Sequence, residues 1–284
     1  SKGYGSEDAP QWRFTLQATS VQPVLTFADN EALRSRVWHA FNARGTGEYD
    51  TQAIIHEILA LRAEKAAMLG YESCSDYVTS RRMAGSGATA LRFTDDLHAK
   101  VLAAFRAEQE AIRRFAEDKI GTAMPIMKPW DVGYWSEKLR TERYDFDSED
   151  LRPYFPMQNV LDGMFSIYAG LYGIHFRQRE TWCAVNGGTP TPDAVEVWHP
   201  EVLFYEVYDD ASGEHLGSFY ADWYPRDEKR AGAWMDCLRC GLPPMNGMAR
   251  EPHLALMCGN MSKPTEGKPA LLSHYEVETV FHEF

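Results

Sequence analysis

The spacing of the apolar residues in the first two thirds of the chain constrains the fold most, because it repeats with the period of an α-helix. The clearest case follows the break at Gly85–Gly87. Glutamate, lysine and arginine occupy the opposite face there, so a long, partly solvated helix is predicted. Its apolar stripe consists of Leu97, Val101, Phe105, Ile112 and Phe115.

The same period and its start and stop signals predict four further helices. Asn30 is suited to cap the first of them, which runs through Phe41. The second begins at Asp50 and ends at Gly70, a residue that readily adopts a left-handed end conformation. A third helix is predicted from Pro129, and a fourth over residues 160–173.

The pattern changes after residue 194 to short runs rich in β-branched and aromatic residues, which are typical of strands. The segment 177–193, with two glycines and two Thr-Pro pairs, is predicted to be a loop. We therefore predict a predominantly α-helical α+β fold, mainly helical over residues 1–194, with a small antiparallel sheet next to the start of the last helix over residues 195–284. The predicted strands are 195–197, 202–208, 216–222 and 254–258.

The charge balance and the cysteines limit the classes of partner. The 29 Lys and Arg residues against 41 Asp and Glu residues give a net charge of −12, which argues against a polyanion binder such as a nucleic-acid protein. No apolar run approaches the roughly 20 residues needed to cross a bilayer, and no signal peptide is visible. The five cysteines are too irregular for a disulfide framework. We expect a cytoplasmic protein with no nucleic-acid or membrane partner, and the sequence leaves its oligomeric state open.

The last residues combine a helix start with chemistry. Ser273 and Glu276 have the spacing of a capping box, so a helix is predicted to lead into His282 and Glu283. In an H-E-x-x-H helix, two histidines four residues apart bind one zinc ion and the glutamate acts as a base. This sequence contains only H-E-x, since the second histidine would be residue 286. Alone, such a dipeptide is more typical of an ordinary surface pair.

Several other motifs stand in a consistent order before this helix. Together with residues 268–284 they resemble the thimet oligopeptidase family, in particular the oligopeptidase A type, which are zinc metallopeptidases that cleave short peptides. The resemblance covers nearly the whole chain. The motifs are Pro129-Trp130-Asp131, Leu151-Arg152-Pro153-Tyr154-Phe155-Pro156, Val197-Trp198-His199-Pro200, Phe219-Tyr220-Ala221-Asp222 and Ala233-Trp234-Met235.

The resemblance implies a function and two site residues. It implies a helical scaffold with a small sheet near a deep channel, one Zn²⁺ per complete site, His282 as a zinc ligand and Glu283 as general base. The other ligands and the substrate contacts remain unassigned, so we expect an internal fragment of a zinc metalloendopeptidase, inactive by itself, whose parent cleaves short peptides. The alternative is a non-catalytic peptide-binding or helical interaction protein on the same scaffold.

The sequence also departs from the family pattern. Ala231 stands where the resemblance leads us to expect glycine, Gly259 is unexpected, and residues 236–252 are divergent. In the family this neighbourhood borders the substrate cleft, where an edge strand can pair with an extended peptide. Cys237 and Cys240 have the spacing of half a zinc site, but no second pair accompanies them, so reduced loop cysteines are predicted.

Overall fold

The structure is a computed structural model that describes residues 3–4, 11–12, 14–245, 247–265 and 267–284. These residues form two compact units. One contains the described residues up to 16 together with 21–144, and the other contains residues 17–20 and 145–284. None of the helices in these ranges is both long and apolar enough to cross a membrane.

Helices dominate the chain before residue 145. A short antiparallel ladder pairs β1 (Gly3–Tyr4) with β2 (Gln11–Trp12). The helices that follow are α1 (Ala18–Phe27), α2 (Glu31–Asn42), α3 (Gln52–Met68), α4 (Cys74–Thr79), α5 (Gly87–Ile120) and α6 (Pro129–Tyr144).

The helix boundaries agree with the local sequence signals. The Asn30 side chain accepts a hydrogen bond of 3.0 Å from the backbone N–H of Leu33, as an N-cap should. The predicted long helix is confirmed as the 34-residue α5, which ends at Gly121 in a left-handed conformation. The helices α1 and α4 were not predicted, although the Ser73 side chain caps α4 by accepting from the backbone N–H of Asp76.

A buried ion pair joins α2 to α6 in the first unit. Arg34 Nη2 lies 2.5 Å from Asp131 Oδ1, and both side chains are almost fully buried. The same guanidinium donates to the carbonyl oxygens of Ala28 and Asp29 at 2.6 and 3.1 Å. Asp131 therefore satisfies a buried charge, which gives the Pro129-Trp130-Asp131 motif a structural role.

The second unit contains the sheet and two helices that pack on it. The five-stranded sheet has the order β3-β6-β7-β9-β8, and β4 and β5 form a separate two-residue parallel ladder. Its elements are α7 (Met157–Tyr172), β3 (Ile174–Arg179), β4 (Thr181–Trp182), β5 (Val195–Glu196), β6 (Leu203–Asp209), β7 (His215–Asp222), β8 (Trp234–Arg239), β9 (His253–Cys258) and α8 (His274–Glu283).

The predominantly helical α+β fold is confirmed, but the sheet is mixed rather than wholly antiparallel. β9 lies parallel to β7, whereas the other neighbouring strands are antiparallel. The reason is that the chain leaves β7 to form β8 at the edge of the sheet and then returns as β9 between them. Strand order, which depends on tertiary packing, decides this orientation.

The predicted loop over residues 177–193 is wrong at its beginning, because β3 extends to Arg179 and β4 follows. The glycines and Thr-Pro pairs that predict a loop lie after β4. Arg177 and Arg179 of β3 are ion-paired with Glu206 on the neighbouring β6, at 2.5 and 2.6 Å. Cross-strand pairing thus explains the charges, since opposite charges on adjacent strands stabilise the pair.

The two units also divide the chain earlier than the predicted boundary between residues 194 and 195. α7 and β3 pack with the later strands, because Phe165 of α7 stacks on Phe176 of β3 with ring centroids 4.4 Å apart. The core of this unit contains side chains from α7, the sheet and α8. Its most deeply buried members are Leu161, Met164, Ala221, Trp223, Leu272 and Val280.

Candidate active-site groove

The last helix, α8, begins with the predicted capping box. The Glu276 backbone N–H donates to Ser273 Oγ at 3.2 Å, and the Ser273 N–H donates to Glu276 Oε2 at 2.7 Å. Two otherwise unpaired amide groups are thereby satisfied, which fixes where the helix starts.

Glu276 also ties the helix start to two other parts of the same unit. Its Oε1 accepts from the backbone N–H of Ser262 at 2.6 Å and from the Ser262 hydroxyl at 2.9 Å. Arg152 lies 3.5 Å from Oε2 and donates to the Leu271 carbonyl at 3.1 Å. A half-buried carboxylate with this many partners holds the first turn in place.

The segment before α8 pairs with the chain that precedes α7. The Met157 N–H donates to the Ala270 carbonyl at 2.8 Å, and the Leu272 N–H donates to the Phe155 carbonyl at 2.9 Å. These bonds and the Arg152 contact give the Leu151-to-Pro156 motif a structural role, because they fix the segment that leads into α8.

One face of α8 is apolar and buried. Val277, Val280, Phe281 and Phe284 follow the helical spacing of three and four residues and join the core of the unit. Because this face is fixed against the core, the opposite face is turned away from it. The rings around Phe284, with centroids 4.6–6.1 Å away, belong to Tyr168, Phe176, Phe219 and Phe165.

The opposite face of α8 borders a groove of about 400 Å³. His282 is exposed and Glu283 is half-buried. Among the residues that the structure describes, neither side chain has a hydrogen-bond or ion-pair partner. An imidazole and a carboxylate are thus both available to a ligand in one groove. The lining residues are Ala233, Tyr275, Glu278, Thr279, His282 and Glu283.

The loop before β8 contributes Ala233 to the groove, and two polar side chains hold this loop. Asn260 donates through its Nδ2 to the carbonyl oxygens of Arg230 and Gly232, at 2.9 and 2.6 Å. Lys229 Nζ donates to the Asp222 and Tyr224 carbonyls, at 2.5 and 3.0 Å. The loop is therefore anchored at both ends just before Ala233 enters the groove.

Asp222, at the end of β7, is the buried centre of this anchor. Lys229 Nζ lies 2.9 Å from its Oδ1, Arg226 contacts both carboxylate oxygens at 2.8 and 2.7 Å, and Trp198 Nε1 donates to Oδ2 at 3.0 Å. Burial alone would raise the pKa of this carboxyl, but hydrogen bonds from Arg226, Lys229 and Trp198 outweigh it and lower the pKa to about 2. Asp222 therefore stays ionised. Its hydrogen bond with Trp198 joins two of the family motifs, Val197-Trp198-His199-Pro200 and Phe219-Tyr220-Ala221-Asp222.

Gly259, the unexpected glycine, lies where two segments of the chain approach closely. Its N–H donates to the Asp222 carbonyl at 2.8 Å, and the Met261 N–H donates to the Trp223 carbonyl at 2.8 Å. An added Cβ would lie 3.0 Å from Met261 Cε and 3.3 Å from the Trp223 carbonyl oxygen. The missing side chain lets the chain after β9 lie against the chain after β7.

The predicted site residues lie on the same groove, but the described residues do not complete a metal site. Within them, no cluster of three or more His, Cys, Asp or Glu side chains could hold a metal ion. His282 fits a metal ligand because its exposed ring is unpaired, and it supplies a single nitrogen donor. His199, His215 and His253 are hydrogen-bonded instead.

Two supporting residues could not have been found as site residues from the sequence. Lys229 and Asn260 act on backbone carbonyl groups of a loop, and no residue pattern records such contacts. The sequence gives some indication of the role of Asp222, because this residue belongs to a family motif and is followed by Arg226 and Lys229.

Comparisons with known proteins place these features in a family. The family model described as peptidase family M3 matches residues 24–284. Oligopeptidase A of Salmonella typhimurium is 37% identical over 276 residues, which make up 95% of this chain and 38% of that protein.

Two plant proteins are similar over the whole chain. Organellar oligopeptidase A, chloroplastic/mitochondrial, of Arabidopsis thaliana is 37% identical over 290 residues, covering 100% of this chain and 35% of that protein. Probable cytosolic oligopeptidase A of the same plant is 36% identical over 294 residues, covering 100% of this chain and 39% of that protein. The chain thus spans less than two fifths of the length of these relatives.

Proposed function

The chain belongs to peptidase family M3, as its motifs predicted, and on that premise we propose that the protein is a zinc-dependent oligopeptidase that hydrolyses internal bonds of short peptides. The observation that carries the proposal is the pair of unpartnered side chains, His282 and Glu283, on the groove face of α8. The resemblance assigns them the roles of zinc ligand and general base.

The two residues have complementary chemistry. Bound zinc supplies a Lewis acid that lowers the pKa of water and polarises a carbonyl group. The neutral His282 imidazole provides a nitrogen lone pair for the metal. The Glu283 carboxylate would accept the proton of the attacking water and return it to the leaving amine. The capping box and the buried apolar face of α8 hold both side chains toward the groove.

The edge strand β8 is the proposed binding surface for the peptide. It forms one edge of the five-stranded sheet, and residues 235–239 are exposed. Ala233, just before this strand, lines the same groove as His282 and Glu283. An extended peptide can hydrogen-bond to such an edge through its backbone, which suits an enzyme that accepts many sequences.

The proposed location is the cytoplasm. The five cysteines are free, as expected in a reducing compartment. One similar plant protein is named as probably cytosolic and another as organellar, so the family name alone does not give a location.

Zinc binding by His282 is tested by a His282→Ala variant of the full-length protein. Mutating a residue that only hydrogen-bonds to a metal ligand typically lowers metal affinity by roughly 10–100-fold. Because His282→Ala removes a ligand itself, we expect a larger loss of zinc affinity. Zinc content after dialysis against a metal buffer gives the measurement. His274→Ala is the matched control, since His274 is exposed on the same helix but does not line the groove. Equal zinc content in the wild type and His282→Ala would exclude the ligand role.

A further inference from the structure

Two cysteines at the end of β8 lie in direct contact. Cys237 Sγ and Cys240 Sγ are 3.2 Å apart, both residues are exposed, and both thiols are free. The separation is only about 1 Å longer than a disulfide bond of about 2.05 Å. The two cysteines, predicted to be reduced loop residues, therefore form a pair in contact rather than two independent thiols.

An irregularity in the strand brings these residues together. In a regular strand, side chains three residues apart point to opposite faces, and their Cα atoms are about 10 Å apart. Here the register of β8 with β9 shifts between Cys237 and Arg239, so that Leu238 is an extra, bulged residue. A bulge re-aims the neighbouring side chains, which allows the Cys237 thiol to approach Cys240.

The backbone after Cys240 is held just as closely. The Gly241 N–H donates to His253 Nδ1 at 2.9 Å, and Leu242 and Glu251 exchange two backbone hydrogen bonds of 3.0 Å. A Cβ at position 241 would lie 2.4 Å from the Glu251 carbonyl oxygen, so a glycine is needed there. The approach of the two thiols is thus built into the β8–β9 hairpin.

A metal site is the alternative use of two neighbouring thiols. His253 already accepts a hydrogen bond from the Gly241 N–H through its Nδ1. No three-donor cluster of the required residue types occurs among the described residues. The observed geometry therefore favours the chemistry that two thiols perform alone.

We propose that Cys237 and Cys240 form a reversible disulfide, which makes the exposed edge strand β8 a redox-sensitive modification site. The oxidant is a low-molecular-weight disulfide, written RSSR. One cysteine thiolate attacks a sulfur of RSSR, forms a mixed disulfide and releases one RS⁻. The second cysteine, after losing its proton to water, attacks the first cysteine's sulfur and releases another RS⁻.

The net reaction is balanced. Two S–H bonds are broken and one S–S bond is formed in the protein, while RSSR takes up two electrons and leaves as two RSH. The hydrogen bond with Cys240 raises the pKa of the Cys237 thiol, because its protonated form is held by the neighbouring sulfur. The thiolate of Cys237 therefore becomes available as the pH rises, and oxidation is expected to accelerate with pH.

This chemistry does not depend on peptidase activity, so it can be tested separately. The reduced full-length protein is equilibrated with oxidised and reduced glutathione in defined ratios, quenched with acid and digested for mass spectrometry. We expect the peptide containing residues 237 and 240 to lose the mass of two hydrogen atoms, and to regain it on treatment with a dithiol reductant.

Single variants distinguish the internal disulfide from ordinary thiol modification. In Cys237→Ser and Cys240→Ser, the remaining cysteine is expected to carry one glutathione, because no partner thiol can displace it. Cys74→Ser, which alters a cysteine outside the pair, is expected to behave as the wild type. A wild-type pair that stays reduced, or that carries glutathione on each cysteine, would overturn the proposal. The wild-type result decides the question if a variant fails to fold.

Discussion

Replacing Glu283 by glutamine is expected to lower kcat for peptide hydrolysis by about 10²–10⁴-fold while the protein stays folded and keeps its zinc. The amide has nearly the same size as the carboxylate but cannot accept a proton from the attacking water. Glu283 has no hydrogen-bond or ion-pair partner among the described residues, so the substitution breaks no structural contact that they provide. The loss should therefore be confined to catalysis.

The measurement is kcat and KM with a short fluorogenic peptide, together with zinc content and a thermal unfolding curve. Glu228→Gln is the control, because it removes one exposed acidic charge from the same unit without lining the groove. It should leave kcat within a few-fold of the wild type. Near-normal turnover by a folded, zinc-loaded Glu283→Gln variant would rule out the role of this residue as base.

Replacing Asp222 by asparagine is expected to lower the free energy of unfolding by about 3–5 kcal/mol. Lys229 is almost fully buried against this carboxylate, and Arg226 contacts both of its oxygens. Removing the negative charge leaves a buried ammonium group without its counter-ion. The same change loosens the loop that leads to Ala233, so KM should rise as well.

The Asp222 effect also has a pH signature. The carboxyl pKa is lowered from its ordinary value of 3.8 to about 2 in the folded protein. A lowered pKa stabilises the fold above the unfolded-state pKa, and this stabilisation of about 2 kcal/mol is lost as the pH falls from about 4 to about 2. The stability difference between the wild type and Asp222→Asn should therefore shrink in that range.

Chemical unfolding followed by circular dichroism measures both effects. Glu201→Gln is the control, since Glu201 forms a partly exposed ion pair with Lys263 at 3.2 Å. Such a pair is expected to contribute less than about 1 kcal/mol. If Asp222→Asn were no less stable than Glu201→Gln, and its stability difference from the wild type did not change with pH, the buried anchor would have no energetic role.

Helix boundaries could be predicted because they depend on nearby residues. Asn30 caps α2 and Ser273 caps α8 through hydrogen bonds within three positions along the chain. β3 was missed for the opposite reason, since Arg177 and Arg179 find their partner at Glu206, more than 25 residues later. The parallel pairing of β7 with β9 likewise depends on where β8 lies in the sheet.

The site likewise contains residues that could be predicted from the sequence and residues that could not. The capping box and the family resemblance located His282 and Glu283, and the structure places both on one groove. The supports of the groove wall escaped prediction because Lys229 and Asn260 bind carbonyl groups of a loop whose path only the folded chain reveals. Gly259, which departs from the family pattern, is explained by the close packing against Trp223.

The most direct test of the central claim is to map cleavage of a short peptide by the full-length protein before and after metal removal. The peptide is blocked at both ends, and its products are identified by mass spectrometry. We expect cleavage at an internal bond, loss of activity after treatment with a chelator, and recovery on adding zinc. Full activity in metal-free protein, or an intact peptide with the zinc-loaded protein, would contradict a zinc-dependent oligopeptidase.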